Sequence, residues 1–163
     1  MHLMIAKTRR LILTFALILA VLMKAYALQH NGSASEGDSD FRPPVTEADA
    51  KIVQRARVIL DSPSQWNRSD TRICPAQATT FSLYCALEKA TKDVTGDFKH
   101  RGATMQETRF VIDDIAPNRK KYHHRLMDYN NDSTTTFADI QRVLRMTEER
   151  IARRLAGAPP GGK

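Results

Sequence analysis

Three times in this chain a threonine is followed three residues later by an acid: Thr46 with Asp49, Thr104 with Glu107, and Thr136 with Asp139. A hydroxyl and a carboxylate at that spacing close the open backbone N–H groups of a helix start, so the pattern marks helices and not strands. The residues after each pair agree. Ile52, Val53, Ala56, Ile59 and Leu60 recur at helical spacing before Ser62-Pro63 stops the run. The stretch MQETRFVIDDIA runs to Pro117, and Ile140, Val143, Leu144, Thr147 and Ile151 share one face of a last, long helix. Between these, FSLYCALEKA directs Phe81, Tyr84, Cys85 and Leu87 inward, with Gly96 just past its end, and KKYHHRLMDY reads as a short helix. No segment sustains the alternation of a strand and no internal repeat is found. The expected fold is all-α, a small single domain of four to five helices.

The chain has 163 residues, and its beginning is read as targeting rather than fold. Lys7, Arg9 and Arg10 precede the apolar segment Leu11 to Met23, and Ala25-Tyr26-Ala27 is a small-x-small cleavage signal. Together they describe a signal peptide over residues 1–27 and a secreted or periplasmic destination. The alternative is a membrane anchor left uncleaved over residues 11–28. Thirteen apolar residues make only about 20 Å of helix against a hydrocarbon core of roughly 30 Å, which favours cleavage. Residues 28–45, rich in Gly, Ser and Asp, form an expected flexible linker, residues 46–155 the helical domain, and residues 156–163 a disordered tail. Residues 1–27 hold four of the 25 basic side chains and none of the 18 acidic ones. The formal charge of +7 therefore falls to +3 on cleavage, leaving little reason to expect nucleic acid as a partner.

The order of the signals resembles a bacterial family, the domain of unknown function 6197, over about residues 46–155. The matching segments are ARVILDSPSQW with Trp66, the helix carrying Cys85-Ala86-Leu87 and Ala90, and the Asn131-Asp132 turn with Thr136 ahead of the final helix. The resemblance implies a compact helical domain and no assigned activity.

Few residues point at chemistry. Cys74 and Cys85 are the two cysteines, and an exported chain favours a bridge over two buried free thiols. A single helix from Pro75 through Cys85 would hold them roughly 16 Å apart, too far for a bond. A bridge therefore requires the helix to start near Thr79 or Thr80, with Cys74 folded back. Neither cysteine has a basic neighbour that would make it a nucleophile. His124 and Asp128 share a helix face, but His123 points about 100° away, and two ligands do not make a zinc site. Trp66 is expected as a core anchor. No nucleophile elbow or phosphate loop is present.

The stretch Asp128 to Asp139, DYNNDSTTTFAD, is the one candidate metal loop. In an EF-hand-like reading Asp128, Asn130, Asp132, the Thr134 carbonyl, Thr136 and Asp139 would offer oxygen to calcium. Ser133 stands where such loops need glycine, and Thr135 where they need an apolar anchor. The same residues also suit a turn followed by a capped helix, with the carboxylates splayed apart. The reading is thus an exported, non-enzymatic helical domain that works by protein contact or in envelope structure. It has no cofactor, an unknown protein partner and no stable membrane insertion once the leader is cleaved. The alternative is a calcium-stabilised binding module.

Overall fold

The computed structural model describes residues 41–157. Within them lie α1 (Glu47–Ile59), α2 (Leu83–Thr95), α3 (Ala103–Ile115), α4 (Arg125–Asn131) and α5 (Phe137–Leu155). Short 3-10 turns occupy Pro63–Gln65 and Arg119–Lys121. Among the described residues there is no strand, only an isolated parallel bridge between Trp66 and Phe81. The expected all-α fold of four to five helices is therefore observed, with five among the described residues. The signal peptide, most of the linker and most of the tail fall outside the described residues. No helix among the described residues is long and apolar enough to cross a membrane.

Two of the three threonine–acid pairs act as helix starts. Thr46 donates its N–H and its hydroxyl to Asp49 Oδ2, both at 2.9 Å. Thr136 and Asp139 form the full reciprocal box: Asp139 Oδ2 accepts the Thr136 N–H at 2.9 Å, and Thr136 Oγ1 accepts the Asp139 N–H at 3.2 Å. The third pair does something else. α3 begins at Ala103 behind Gly102, where a Cβ would lie 3.1 Å from the Lys99 carbonyl, a tight contact that the turn would have to shift to relieve. Thr104 instead gives its N–H (3.0 Å) and hydroxyl (2.8 Å) to Asp49 Oδ1, the second oxygen of the acid that starts α1. Glu107 turns into the core. A local motif has been claimed by tertiary partners.

α3 is the axis of the domain. Ten consecutive residues, Ala103 to Ile112, are buried, so this helix has no solvent face in its first three turns. It packs against α1, α4 and α5, while α1 also packs on α2 and α5. Leu83, Leu87, Met105, Ile112, Ile140, Leu144 and Ile151 fill the space between. Helix ends follow from local chemistry. Gly96 takes the left-handed conformation (φ 80°) beyond α2, and Ala116 turns extended before Pro117 at the end of α3. The segment expected as one helix across KKYHHRLMDY is divided in two. Asp128 Oδ2 accepts the backbone N–H groups of His123 (2.6 Å) and His124 (2.8 Å), so α4 starts only at Arg125. Residues 41–45, placed in the linker by composition, lie against the domain. Arg42 stacks 3.8 Å over the Phe110 ring, Gln106 donates to the Phe41 carbonyl (2.6 Å), and Arg154 donates to that of Pro43 (2.9 Å).

Candidate functional site

The stretch from Asp128 to Asp139 is divided between two helices, and its oxygens face different partners. Asp128 holds the start of α4 through the His123 and His124 N–H groups. Asn130 is fully buried at the end of α4, where its Oδ1 accepts from Trp66 Nε1 (2.9 Å) and the Leu83 N–H (3.0 Å). Its Nδ2 donates to the Asn67 carbonyl at 3.0 Å. Asn131 pairs with the Asp70 backbone in both directions, at 2.7 and 2.9 Å. Asp132 Oδ1 accepts the Thr134 N–H and hydroxyl, while its Oδ2 accepts from Asn118 (2.9 Å) and the Tyr122 hydroxyl (2.8 Å). Thr134 thus gives its side chain to Asp132, and Thr136 and Asp139 cap α5. The carbonyls of Asp132, Ser133 and Thr135 all accept from one guanidinium, Arg68, at 3.1–3.2 Å. Each of the six candidate ligands is thus engaged elsewhere or apart, Asp128, Asp132 and Thr134 alone lining one open pocket, and no group of three acidic, histidine or cysteine side chains capable of holding a metal occurs among the described residues. The stretch is a clip: it fastens the loop from Trp66 to Asp70, and the start of α2, onto α4.

Asp132 gives the clip a pH dependence. Its hydrogen bonds from Thr134, then Asn118 and Tyr122, hold the carboxyl well below the ordinary range. A depressed folded pKa contributes stability above the unfolded value of about 4, and that contribution fades as pH falls toward the folded value. Asp139 and Asp93 are lowered in the same sense. Asp70 is raised, chiefly by burial, and works against them. Asp132→Asn turns an amide donor toward Asn118 and Tyr122. Its melting temperature is expected to lie below wild type at pH 7, with the gap narrowing steadily as pH falls below about 4. A gap that is constant with pH would contradict this account.

Cys74 and Cys85 form a disulfide, with Cα atoms 5.3 Å apart. The condition set by geometry is met, because α2 starts at Leu83 and Cys74 lies in the preceding loop. Ser82 caps that helix by accepting the Cys85 N–H at 3.2 Å. Trp66 is half-buried and packs against the core: its ring lies 6.2 Å from Phe137, and its N–H reaches the Asn130 clip.

On the same side of the loop the fold collects a group that sequence reasoning passed over. Arg72 from the loop, Tyr84 from α2, His100 from the α2–α3 turn, Arg109 from α3, and His124 and Arg125 at the start of α4 line one gap of about 10 Å³, room for a single water-sized atom. Arg109 is buried on α3, where it donates to Gln106 Oε1 (2.6 Å), the His100 carbonyl (3.0 Å) and His100 Nε2 (3.0 Å). A guanidinium only donates, so His100 accepts at Nε2 and is assigned a proton on Nδ1, 3.3 Å from the Tyr84 hydroxyl. Burial and the nearby Glu88 charge push the Tyr84 hydroxyl up, keeping it protonated. Arg72 reaches to 3.5 Å from His124 Nδ1 and lies 5.7 Å over the Tyr84 ring. Arg125 is buried, 3.0 Å from Asp113 and 5.7 Å over Phe110. Arg72 also has φ 61°, a left-handed conformation uncommon outside glycine, and it is held there by Asp70 Oδ1 accepting its N–H at 2.7 Å. Only Gln106 and Arg109, polar residues inside an otherwise buried helix, hinted at this cluster in the sequence.

Residues 44–150 match the model of a family of unknown function, DUF6197. No curated protein and no solved structure matches the chain.

Proposed function

The chain belongs to the DUF6197 family, and from that premise we propose that it is a non-enzymatic binding module that recognises an oxyanion, a carboxylate or phosphate group, at the Arg72–Arg109–Arg125 cluster. One observation carries this reading: three arginines from a loop and two helices, with two histidines, line one water-sized gap. Guanidinium is the group that best matches a planar or tetrahedral oxyanion, through paired N–H donors. Binding fits the cluster better than proton transfer does, because arginine keeps its charge and cannot serve as a base at neutral pH. The narrow gap suits one protruding oxygen, as an acidic side chain or chain terminus of a partner protein would offer. Export is part of the proposal, supported by the leader read in residues 1–27 and by a disulfide that an oxidising compartment would preserve.

The test is calorimetric titration with inorganic phosphate at constant ionic strength. Saturable binding is expected for the wild type, with a loss of at least tenfold in Arg72→Gln. Equal binding by both, or none by the wild type, would remove the proposal.

A further inference from the structure

We infer that the Cys74–Cys85 disulfide switches the basic cluster, so that reduction by a dithiol lowers its affinity for oxyanions. The inference rests on the proposed oxyanion binding at that cluster. Arg72 lies two residues before Cys74, and it alone among the cluster's arginines comes from a loop. Upstream, that loop is fastened firmly: Asn67 pairs with Phe81, Asn131 pairs with Asp70, and Asp70 holds the Arg72 N–H. Downstream of Arg72 the ties are few. Ile73, Pro75, Ala76, Gln77, Thr79 and Thr80 are exposed, and the one backbone hydrogen bond within this stretch, from Ala78 to Pro75, is local. What fixes residues 73–80 to α2 is the disulfide, with a weak contact from Cys85 Sγ to the Ile73 carbonyl at 3.7 Å. Arg72 itself keeps a left-handed backbone, a conformation that persists only while its surroundings impose it. Release of Cys74 removes the covalent tie on the downstream side of Arg72.

The bond is placed to react. Cys74 is half-buried while Cys85 is buried, and an open groove of about 230 Å³ lined by Phe81, Glu88 and Lys92 runs beside the sulfurs. A thiolate of the incoming dithiol attacks Cys74 Sγ, breaks the S–S bond and forms a mixed disulfide, and Cys85 leaves as thiolate and takes up a proton. The second thiol of the reagent then displaces Cys74. Both cysteines end as thiols, and the dithiol, having lost two electrons, ends as a disulfide.

The experiment is phosphate titration of the full chain at 25 °C, oxidised and after reduction with dithiothreitol, with circular dichroism to confirm that the helices persist. At least a tenfold weaker affinity is expected on reduction, restored by oxidised glutathione and reproduced by Cys74→Ser/Cys85→Ser. In Arg72→Ala, reduction should change affinity by less than twofold, because the switch acts through that side chain. Oxidised and reduced wild type binding within twofold of each other would overturn the switch and leave the site standing. No binding by the oxidised wild type would remove the site itself, and the switch with it. Reduction that weakens Arg72→Ala as much as wild type would show loosening unrelated to Arg72, and would also overturn the inference.

Discussion

Replacing Asn130 by alanine is expected to lower stability by about 3–4 kcal/mol, or roughly 12–20 °C in melting temperature for a domain of this size. The side chain is fully buried and serves three elements at once. Its oxygen accepts from the Trp66 indole and from the N–H of Leu83, the first residue of α2. Its amide donates to the Asn67 carbonyl at 3.0 Å and lies 3.2 Å from Asn131 Oδ1. Truncation leaves two donors and an acceptor facing a small cavity, and each group left buried without a partner costs about 1–3 kcal/mol, with incomplete additivity. Asn130→Asp separates the two halves of the argument. A carboxylate still accepts from Trp66 and Leu83, but it sets a second oxygen against the oxygens of Asn67 and Asn131 and buries a charge. It should be at least as harmful as alanine at pH 7. Urea denaturation of the two variants decides the matter. If Asn130→Asp is as stable as wild type, the amide is not donating and the clip does not hold the loop in this way.

What the sequence disclosed, and what it hid, obeys one physical rule. Thr46 with Asp49 and Thr136 with Asp139 were legible because a helix cap is closed within one turn. Gly96 and Pro117 were legible for the same reason. Thr104 and Glu107 have the same spacing, but Thr104 is bonded to a residue 55 positions away, and no local rule sees that far. The oxygen-rich run at Asp128–Asp139 showed that its residues would accept hydrogen bonds without showing from whom. Its donors include Trp66 and Arg68, more than 60 residues earlier. The disulfide was half legible, since spacing stated the condition for the bond and the loop conformation alone could meet it. Of the basic cluster, Gln106 and Arg109 gave the one hint. Arg72, His100, Arg109 and Arg125 are separated by loops and share no periodicity, so only the packing of α2, α3 and α4 brings them together.

The largest single loss is expected at Glu107, whose carboxylate is wholly buried on α3 among three arginines. Arg154 donates to Oε1 at 2.6 Å, Arg150 Nε lies 3.3 Å from Oε2, and Arg42 NH1 lies 3.9 Å from the same oxygen. Arg150 and Arg154 stand one turn apart on α5, where like charges repel, and Glu107 offsets that repulsion by sitting between them. Removing the acid leaves partly buried guanidiniums facing one another, and breaking such a pair from one side costs about 3–5 kcal/mol. Glu107→Ala should therefore unfold at markedly lower urea concentration. Glu107→Gln should lose nearly as much, since an amide keeps the volume but not the charge. Arg154→Ala should lose less than half as much, because Arg150 and Arg42 still face the carboxylate. The damage should also spread outward. Arg154 holds the Pro43 carbonyl and Arg42 covers Phe110, so the backbone amides of Phe41, Arg42 and Val45 should exchange faster in Glu107→Ala than in wild type. A Glu107→Gln variant within 1 kcal/mol of wild type by urea denaturation would show that volume alone matters at this position, and that the three arginines do not depend on its charge.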